Sequence, residues 1–205
     1  MRMSGFARRE QLVAVGRKTF ASKGFDGTSV EEIASQAKIS KPVIYEHFGG
    51  KEGLYAVIVD REVHALMSAL EAALDSQKRP RMILEGSALA LLSYIESNSD
   101  GFRILVRDAP QNSTSGSFSS LMGDIAIKVE HLLANQFSQA NMSPKWAPLY
   151  AQMLVGLIAQ VGQWWLDERR MSKEDVASHV VNPVWNGMRN LRPSPVLLPS
   201  PDEAK

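Results

Sequence analysis

The 205-residue sequence predicts an all-α protein made of two helical domains. Apolar residues recur at helical spacing along most of the chain, and no alternating segment is long enough to predict a strand. Near the N-terminus, two short amphipathic helices follow each other across a tight turn, as in a helix-turn-helix. We therefore expect an N-terminal three-helix domain at residues 1–50, a larger helical domain at 51–191 and a proline-rich tail at 192–205.

The first two helices are bounded by recognisable end signals. The first is predicted over residues 6–23, with Gly24 as the residue that ends it. Ser29 and Glu32 have the spacing of a capping box, in which each side chain satisfies a backbone N–H at a helix start. A second helix of about two turns is therefore expected to begin immediately after Ser29.

The third helix is predicted over residues 41–47, with Ser40 as its N-cap and a proline in its first turn. Ile44 and Phe48 lie four residues apart and can face inward together. This leaves a mixed set of side chains outside: Lys41, Pro42, Val43, Tyr45, Glu46 and His47. A lysine can reach guanine or phosphate, apolar groups can touch a thymine methyl, and tyrosine and histidine can donate to phosphate oxygens. The exposed face therefore suits the major groove of DNA.

Positive charge is concentrated at the same end of the chain. The whole sequence has a net charge of +1, yet residues 1–51 hold nine Lys or Arg against five Asp or Glu. A localised basic region of this kind is typical of a surface that neutralises phosphates.

Three segments together resemble the DNA-binding domain of the TetR family of one-component transcriptional regulators. They are FASKGFDGTSV at residues 20–30, Ile33-Ala34, and SKPVIYEHFGGKEGLY at residues 40–55. The resemblance implies a homodimer that binds a double-stranded, palindromic DNA operator and responds to a small-molecule effector. With the residue pattern, it predicts DNA contacts from Thr28, Ser29, Lys38, Ser40, Lys41, Pro42, Val43, Tyr45, His47 and Lys51.

The rest of the chain is predicted to be helical as well. A long fourth helix at residues 51–76 leaves the N-terminal domain and enters the next one, so it links the two mechanically. Further helices are expected at residues 82–96, 100–108 and 118–138, from the NMSP stretch at 141–144 to about residue 169, and at 173–190. A polar loop is predicted at residues 109–117.

The resemblance also implies a ligand cavity inside the larger domain. Its expected lining is Leu89, Leu92, Phe102, Arg103, Val106, Phe118, Leu121, Met122, Ile125, Met153 and Leu157. Because this set is mainly apolar, we expect an apolar or amphipathic effector, such as an acyl-chain compound or a drug. The sequence leaves open whether the effector releases or promotes DNA binding.

The last two helices carry more large apolar residues than one subunit can easily cover. A four-helix interface with a second copy would bury them, as the resemblance also implies, although they could instead form only the subunit's own core. The interface is predicted to contain Leu154, Ile158, Val161, Trp165, Val181, Trp185 and Met188.

Other classes of protein have little support in the sequence. There is no cysteine, the four histidines lack metal-binding spacing, and no glycine-rich turn could cradle a nucleotide. The longest apolar run, at residues 153–166, is shorter than the ~20 residues of a membrane span. We therefore expect a cytoplasmic, ligand-responsive repressor with no catalytic activity, metal, cofactor or membrane association. The alternative is a helical adaptor that binds only protein, which would leave the basic N-terminus unexplained.

Overall fold

The computed structural model describes residues 3–75, 79–107 and 118–197. Within these ranges the chain forms nine α-helices and no strand, which confirms the predicted all-α class. The helices are α1 (Gly5–Lys23), α2 (Val30–Ala37), α3 (Lys41–Phe48), α4 (Lys51–Leu74), α5 (Pro80–Ser97), α6 (Ser99–Val106), α7 (Phe118–Gln139), α8 (Ala147–Glu168) and α9 (Lys173–Arg189). A 3₁₀ turn at Pro144–Trp146 precedes α8. The polar loop predicted at residues 109–117 and the tail beyond residue 197 lie outside the described residues.

The first three helices pack around a small apolar core that they share with the start of α4. α1 ends at Gly24 and α3 ends at Gly49, both with positive φ, as expected for glycine after a helix. Lys38 ends α2 in the left-handed conformation, which turns the chain toward α3. The core contains Leu12, Phe20, Ile33, Ile44, Leu54 and Ile58, all essentially inaccessible to solvent.

Two predicted helix caps lack some of the side-chain hydrogen bonds expected of them. Ser29 Oγ accepts from the Glu32 backbone N–H at 3.1 Å, but the Glu32 carboxylate bonds to Lys23 Nζ at 2.5 Å rather than reaching back. Ser40 occupies the N-cap position of α3 without a side-chain capping bond. The Ser40 hydroxyl is therefore left free of a helix-capping role.

α4 connects the N-terminal helices to the rest of the molecule. Its 24 residues extend for about 36 Å. Its N-terminal half packs against α1 and α3, and it also contacts α5, α6 and α7. α5 begins at Pro80, two residues earlier than predicted, because proline is well accommodated in the first turn of a helix.

The larger part of the molecule is a bundle of α4, α5, α7, α8 and α9. α8 turns small residues inward, and this brings it close to α5. A Cβ on Gly162 would lie 2.9 Å from Ile95 Cδ1 and 3.0 Å from Leu91 Cδ2. The glycine is therefore required for the α5–α8 approach.

Candidate nucleic-acid interface and internal cavity

The outward face of α3 has the predicted composition. Lys41, Pro42 and Tyr45 are exposed, while Val43 and His47 are half-buried. Ile44 is fully buried behind them, as predicted. Exposed side chains at Ser29, Lys38 and Ser40 border this face. Together these residues form the surface that we call the α3 face.

An ion pair joins the two helices of this motif. Lys41 Nζ on α3 donates to the Glu31 carboxylate on α2, and both side chains are more than half exposed. The hydrogen bond from Lys41 is the main reason why the pKa of the Glu31 carboxyl lies below its usual value. Lys41 must leave this carboxylate to reach a base or a phosphate.

Two of the residues predicted to contact phosphate are engaged in hydrogen bonds within the structure. Thr28 is only 3% exposed and its hydroxyl donates to the Gly24 carbonyl at 2.7 Å, so it is not available on the surface. Lys51 Nζ donates to the carbonyls of Phe25 and Thr28, each at 3.1 Å, and lies 4.1 Å from the centre of the Phe25 ring. Lys51 therefore fixes the loop between α1 and α2.

Two residues of α1 hold the motif in place and were missed by the sequence reasoning. Arg9 donates to the His47 carbonyl at 2.6 Å, and its guanidinium lies 4.3 Å from the centre of the Phe48 ring. Gln11 donates to the Ala37 carbonyl at 3.1 Å. Both side chains satisfy carbonyls in the last turn of a helix, which have no partner within the helix. These partners are 26 and 38 residues away, so no local pattern could have indicated them.

A partly buried polar cluster joins α1 to α4 and α5, and we call it the junction cluster (Arg17, Glu62, Tyr94 and Asn98). Arg17 Nε lies 2.9 Å from Glu62 Oε1, and the Tyr94 hydroxyl donates to Glu62 Oε2 at 2.5 Å. A further hydrogen bond of 3.2 Å runs from Arg17 to Asn98 Oδ1. Burial, and then the bond to Glu62, raise the pKa of Tyr94 far above its ordinary value, so the phenol remains a donor.

A cavity of about 150 Å³ lies between α4, α5, α7 and α8. Leucine, isoleucine, valine and methionine side chains form most of its wall, and Ser87 and Gln136 are its polar side chains. Its lining contains no Lys, Arg, His, Asp or Glu. The cavity therefore suits an apolar molecule.

The predicted cavity lining is only partly the observed one. Met122 and Ile125 line this cavity. Seven others lie outside its lining: Leu89, Leu92, Phe102, Arg103, Val106, Phe118 and Leu121. Arg103 pairs with Asp167 at 2.7 Å on the surface. Met153, which is 57% exposed, and Leu157 lie on the outer side of α8, which corrects their predicted place.

The predicted subunit interface also needs correction. Trp165 is 2% exposed and donates to the Met171 carbonyl at 3.0 Å, and Val181 is buried within the same subunit. Leu154 and Ile158 face the cavity instead. Val161, Trp185 and Met188 are half-buried. The outer side of α8 and its preceding turn carries a different apolar set, which we call the α8 stripe: Trp146, Leu149, Met153, Leu157 and Trp164.

Two kinds of feature are absent from the described part of the chain. Residues 3–75, 79–107 and 118–197 contain no group of three metal-ligating side chains. The helices in those same ranges are all too short or too polar to cross a bilayer.

A basic helix-turn-helix with an exposed second helix, joined through α4 to a helical bundle that contains a cavity, is the arrangement of a DNA-binding regulator. Comparison with known families agrees with this class. Residues 12–58 match the model of bacterial regulatory proteins of the tetR family, and residues 69–193 match that of the tetracyclin repressor-like C-terminal domain. The chain belongs to the tetR family and is a transcriptional regulator.

Individual relatives are distant in sequence. The HTH-type transcriptional activator FasR of Mycolicibacterium smegmatis is 25% identical over 199 residues, which is 90% of this chain and 84% of FasR. A TetR-like regulator from Rhodococcus sp. RHA1 has 26% identity and a TM-score of 0.78, over 93% of this chain and 100% of that one. AibR, solved with isovaleryl coenzyme A and operator DNA, has 18% identity and a TM-score of 0.70, over 86% of this chain and 97% of AibR.

Proposed function

We propose that this protein is a homodimeric regulator that binds a palindromic operator and leaves it when an apolar or amphipathic molecule occupies the cavity. One observation carries the proposal: α4 belongs to both regions. Leu70 and Leu74 near its C-terminus line the cavity, whereas Leu54 and Ile58 near its N-terminus lie in the core beneath α3. The two groups are about 16 residues apart, or roughly 24 Å along the helix. A displacement at one end of α4 therefore reaches the other.

In this proposal the domains divide as the sequence suggests. Residues 1–50 bind DNA through the α3 face, residues 51–191 bind the effector and the second subunit, and residues 192–205 form a tail. Ser29, Lys38, Ser40, Lys41 and Tyr45 supply the exposed DNA contacts, with Pro42, Val43 and His47 at the same face. An operator in the bacterial chromosome requires a cytoplasmic protein.

The α8 stripe supports dimerisation. Its large apolar side chains would be covered by the same stripe of a second copy, since a two-fold interface uses one patch on both subunits. Val161, Trp185 and Met188 would border this contact. A dimer also places two α3 faces about 34 Å apart, as needed for successive major grooves on one side of DNA.

The relatives support a small-molecule effector, and two modes of transcriptional control are candidates for this protein. AibR is described with isovaleryl coenzyme A and operator DNA, which supports an acyl compound as effector here. Repression by operator occupancy is our first candidate. Activation is the second, and it is favoured by the name of FasR as a transcriptional activator.

The proposal is tested by selecting bound fragments from random DNA with the full-length protein and measuring operator affinity by fluorescence anisotropy. We expect the selected site to be palindromic. We expect the Ala159→Phe protein to bind this site more weakly, because the new ring enters the cavity as a ligand would. Reporter transcription from a promoter carrying the site separates repression from activation. Failure to select any sequence would overturn the proposal and favour the adaptor.

A further inference from the structure

Ser87 differs from several other helical hydroxyls of this protein. A serine or threonine inside a helix commonly bonds to the carbonyl four residues earlier. Thr19, Ser99 and Ser138 do so, at 2.9 Å, 3.0 Å and 2.9 Å. Ser87 Oγ is inaccessible to solvent and has no hydrogen-bond partner among the described residues. The backbone therefore does not occupy this hydroxyl, and Ser87 is one of the residues that line the cavity.

The position of Ser87 divides the cavity into two parts. We take the exposed lining residues Pro80, Leu132 and Gln136 as the mouth, and the buried pair Leu91 and Ala159 on α5 and α8 as the far end. Along α5, the distance from Pro80 to Leu91 is about 16 Å, and Ser87 lies about 10 Å from Pro80. A molecule that extends along α5 from Pro80 to Leu91 therefore passes Ser87, with apolar lining residues on both sides.

The charge of the wall restricts what can sit beside Ser87. A carboxylate at that depth would be separated from water, and the lining offers no cation to pair with it. An uncharged carbonyl carries no such penalty and accepts the Ser87 O–H. An unsatisfied buried hydroxyl costs about 1–3 kcal/mol, so a ligand that supplies the acceptor recovers part of that cost.

Resting on the proposed effector role of the cavity, we infer that Ser87 recognises the uncharged carbonyl of an acyl chain joined as an ester, amide or thioester. The chain extends toward Leu91 and Ala159, and any charged group remains outside the mouth near Gln136. The site therefore takes conjugated acyl groups and rejects the free acid.

The test uses three probes of similar length with the full-length protein: methyl decanoate, decanoate at pH 8 and undecane. Binding is measured by equilibrium dialysis and by the rise in Tm. We expect methyl decanoate to bind at least tenfold more tightly than either other probe. Ser87→Ala should remove its advantage over undecane while leaving undecane binding unchanged, and Ser138→Ala, a helical serine outside the cavity, should change neither.

A second readout separates recognition from a structural role. If the hydroxyl is unsatisfied in the free protein, Ser87→Ala without ligand should unfold at the same or a higher temperature than the wild type. A loss of stability would show that the hydroxyl has a protein partner and would overturn the inference.

The outcomes also distinguish this inference from the proposed function. If the three probes bind equally, or decanoate binds best, and Ala159→Phe blocks them, the cavity is an effector site but Ser87 does not select a carbonyl. If no probe binds at all, both this inference and the effector role of the cavity are wrong.

Discussion

Replacing Gly101 by alanine tests whether the junction cluster is packed as described. A Cβ at this position would lie 1.9 Å from Glu62 Oε2, 2.3 Å from Glu62 Cδ and 2.7 Å from an Arg17 guanidinium nitrogen. The Glu62 side chain cannot simply rotate away, because Arg17 and Tyr94 both bond to its carboxylate. The methyl group must therefore displace part of the cluster.

The expected cost is the balance of three effects. Overpacking a well-packed interior costs about 1–3 kcal/mol. Moving the carboxylate leaves buried donors poorly satisfied, which costs about another 1–3 kcal/mol. Alanine favours a helix over glycine by about 1 kcal/mol, and this opposes the loss. We expect Gly101→Ala to lower the free energy of unfolding by about 3 kcal/mol.

Urea unfolding at one fixed protein concentration measures this value, since the stability of a dimer depends on concentration. Gly123→Ala in α7 is the matched control, because nothing lies within 4 Å of its added Cβ. The control should gain about 0.5–1 kcal/mol from helix propensity. If Gly101→Ala is as stable as the wild type while the control behaves as expected, the cluster does not have the described geometry.

Four further variants test DNA binding, assembly and stability. Glu31→Gln should raise operator affinity, most at low salt, because it frees Lys41. Lys41→Ala should lower operator affinity and reduce the slope of log affinity against log salt by about 1. Anisotropy titrations across salt concentrations measure both effects, and unchanged affinity of Lys41→Ala would contradict DNA binding by the α3 face. Trp164→Glu should give a folded monomer, since an unpaired charge buried in an interface at the α8 stripe costs several kcal/mol. Light scattering measures the oligomeric state and circular dichroism checks the fold. A stable dimer would place the interface elsewhere. Tyr94→Phe should lower the free energy of unfolding, measured with urea, by about 1–3 kcal/mol, because Glu62 loses a buried donor. An unchanged free energy of unfolding would show that the Tyr94–Glu62 bond does not stabilise the protein.

The N-terminal motif could be predicted well because its signals are local. Caps, the Pro42 position and the four-residue spacing of apolar side chains all act within one or two turns, and Ile44 is buried as that spacing requires. The hydrogen bonds of Thr28 and Lys51 within the structure are a different case. Both residues bond to carbonyls between α1 and α2, and the partners of Lys51 lie 26 and 23 residues away in the chain, beyond any local pattern.

The orientation of α8 could not be predicted from periodicity, because apolar residues surround this helix. Adjacent residues point about 100° apart in a helix, so Trp164 and Trp165 cannot share one face. The structure buries Trp165 and leaves Trp164 48% exposed. One signal was present and was overlooked: Ala151, Ala159 and Gly162 are small, and small residues mark the side on which another helix approaches closely. The side of α8 with the small residues faces α5 and the cavity, and the opposite side carries the α8 stripe.

The junction cluster and the cavity together explain how a small binding energy could control DNA affinity. Apolar contacts tolerate sliding, whereas the hydrogen bonds of Arg17 and Tyr94 to Glu62 hold α1, α4 and α5 in one alignment. α4 therefore moves with α1 when Leu70 and Leu74 are displaced at the cavity. A ligand shifts this equilibrium only by its difference in affinity for the two arrangements. A tenfold change in operator affinity requires a difference of about 1.4 kcal/mol, which two further CH₂ groups at about 0.8 kcal/mol each supply if they are buried in one arrangement and exposed in the other. If the effector is the proposed acyl compound, a series of methyl esters differing by two carbons should change operator affinity in steps until the chain reaches Leu91 and Ala159 at the far end of the cavity.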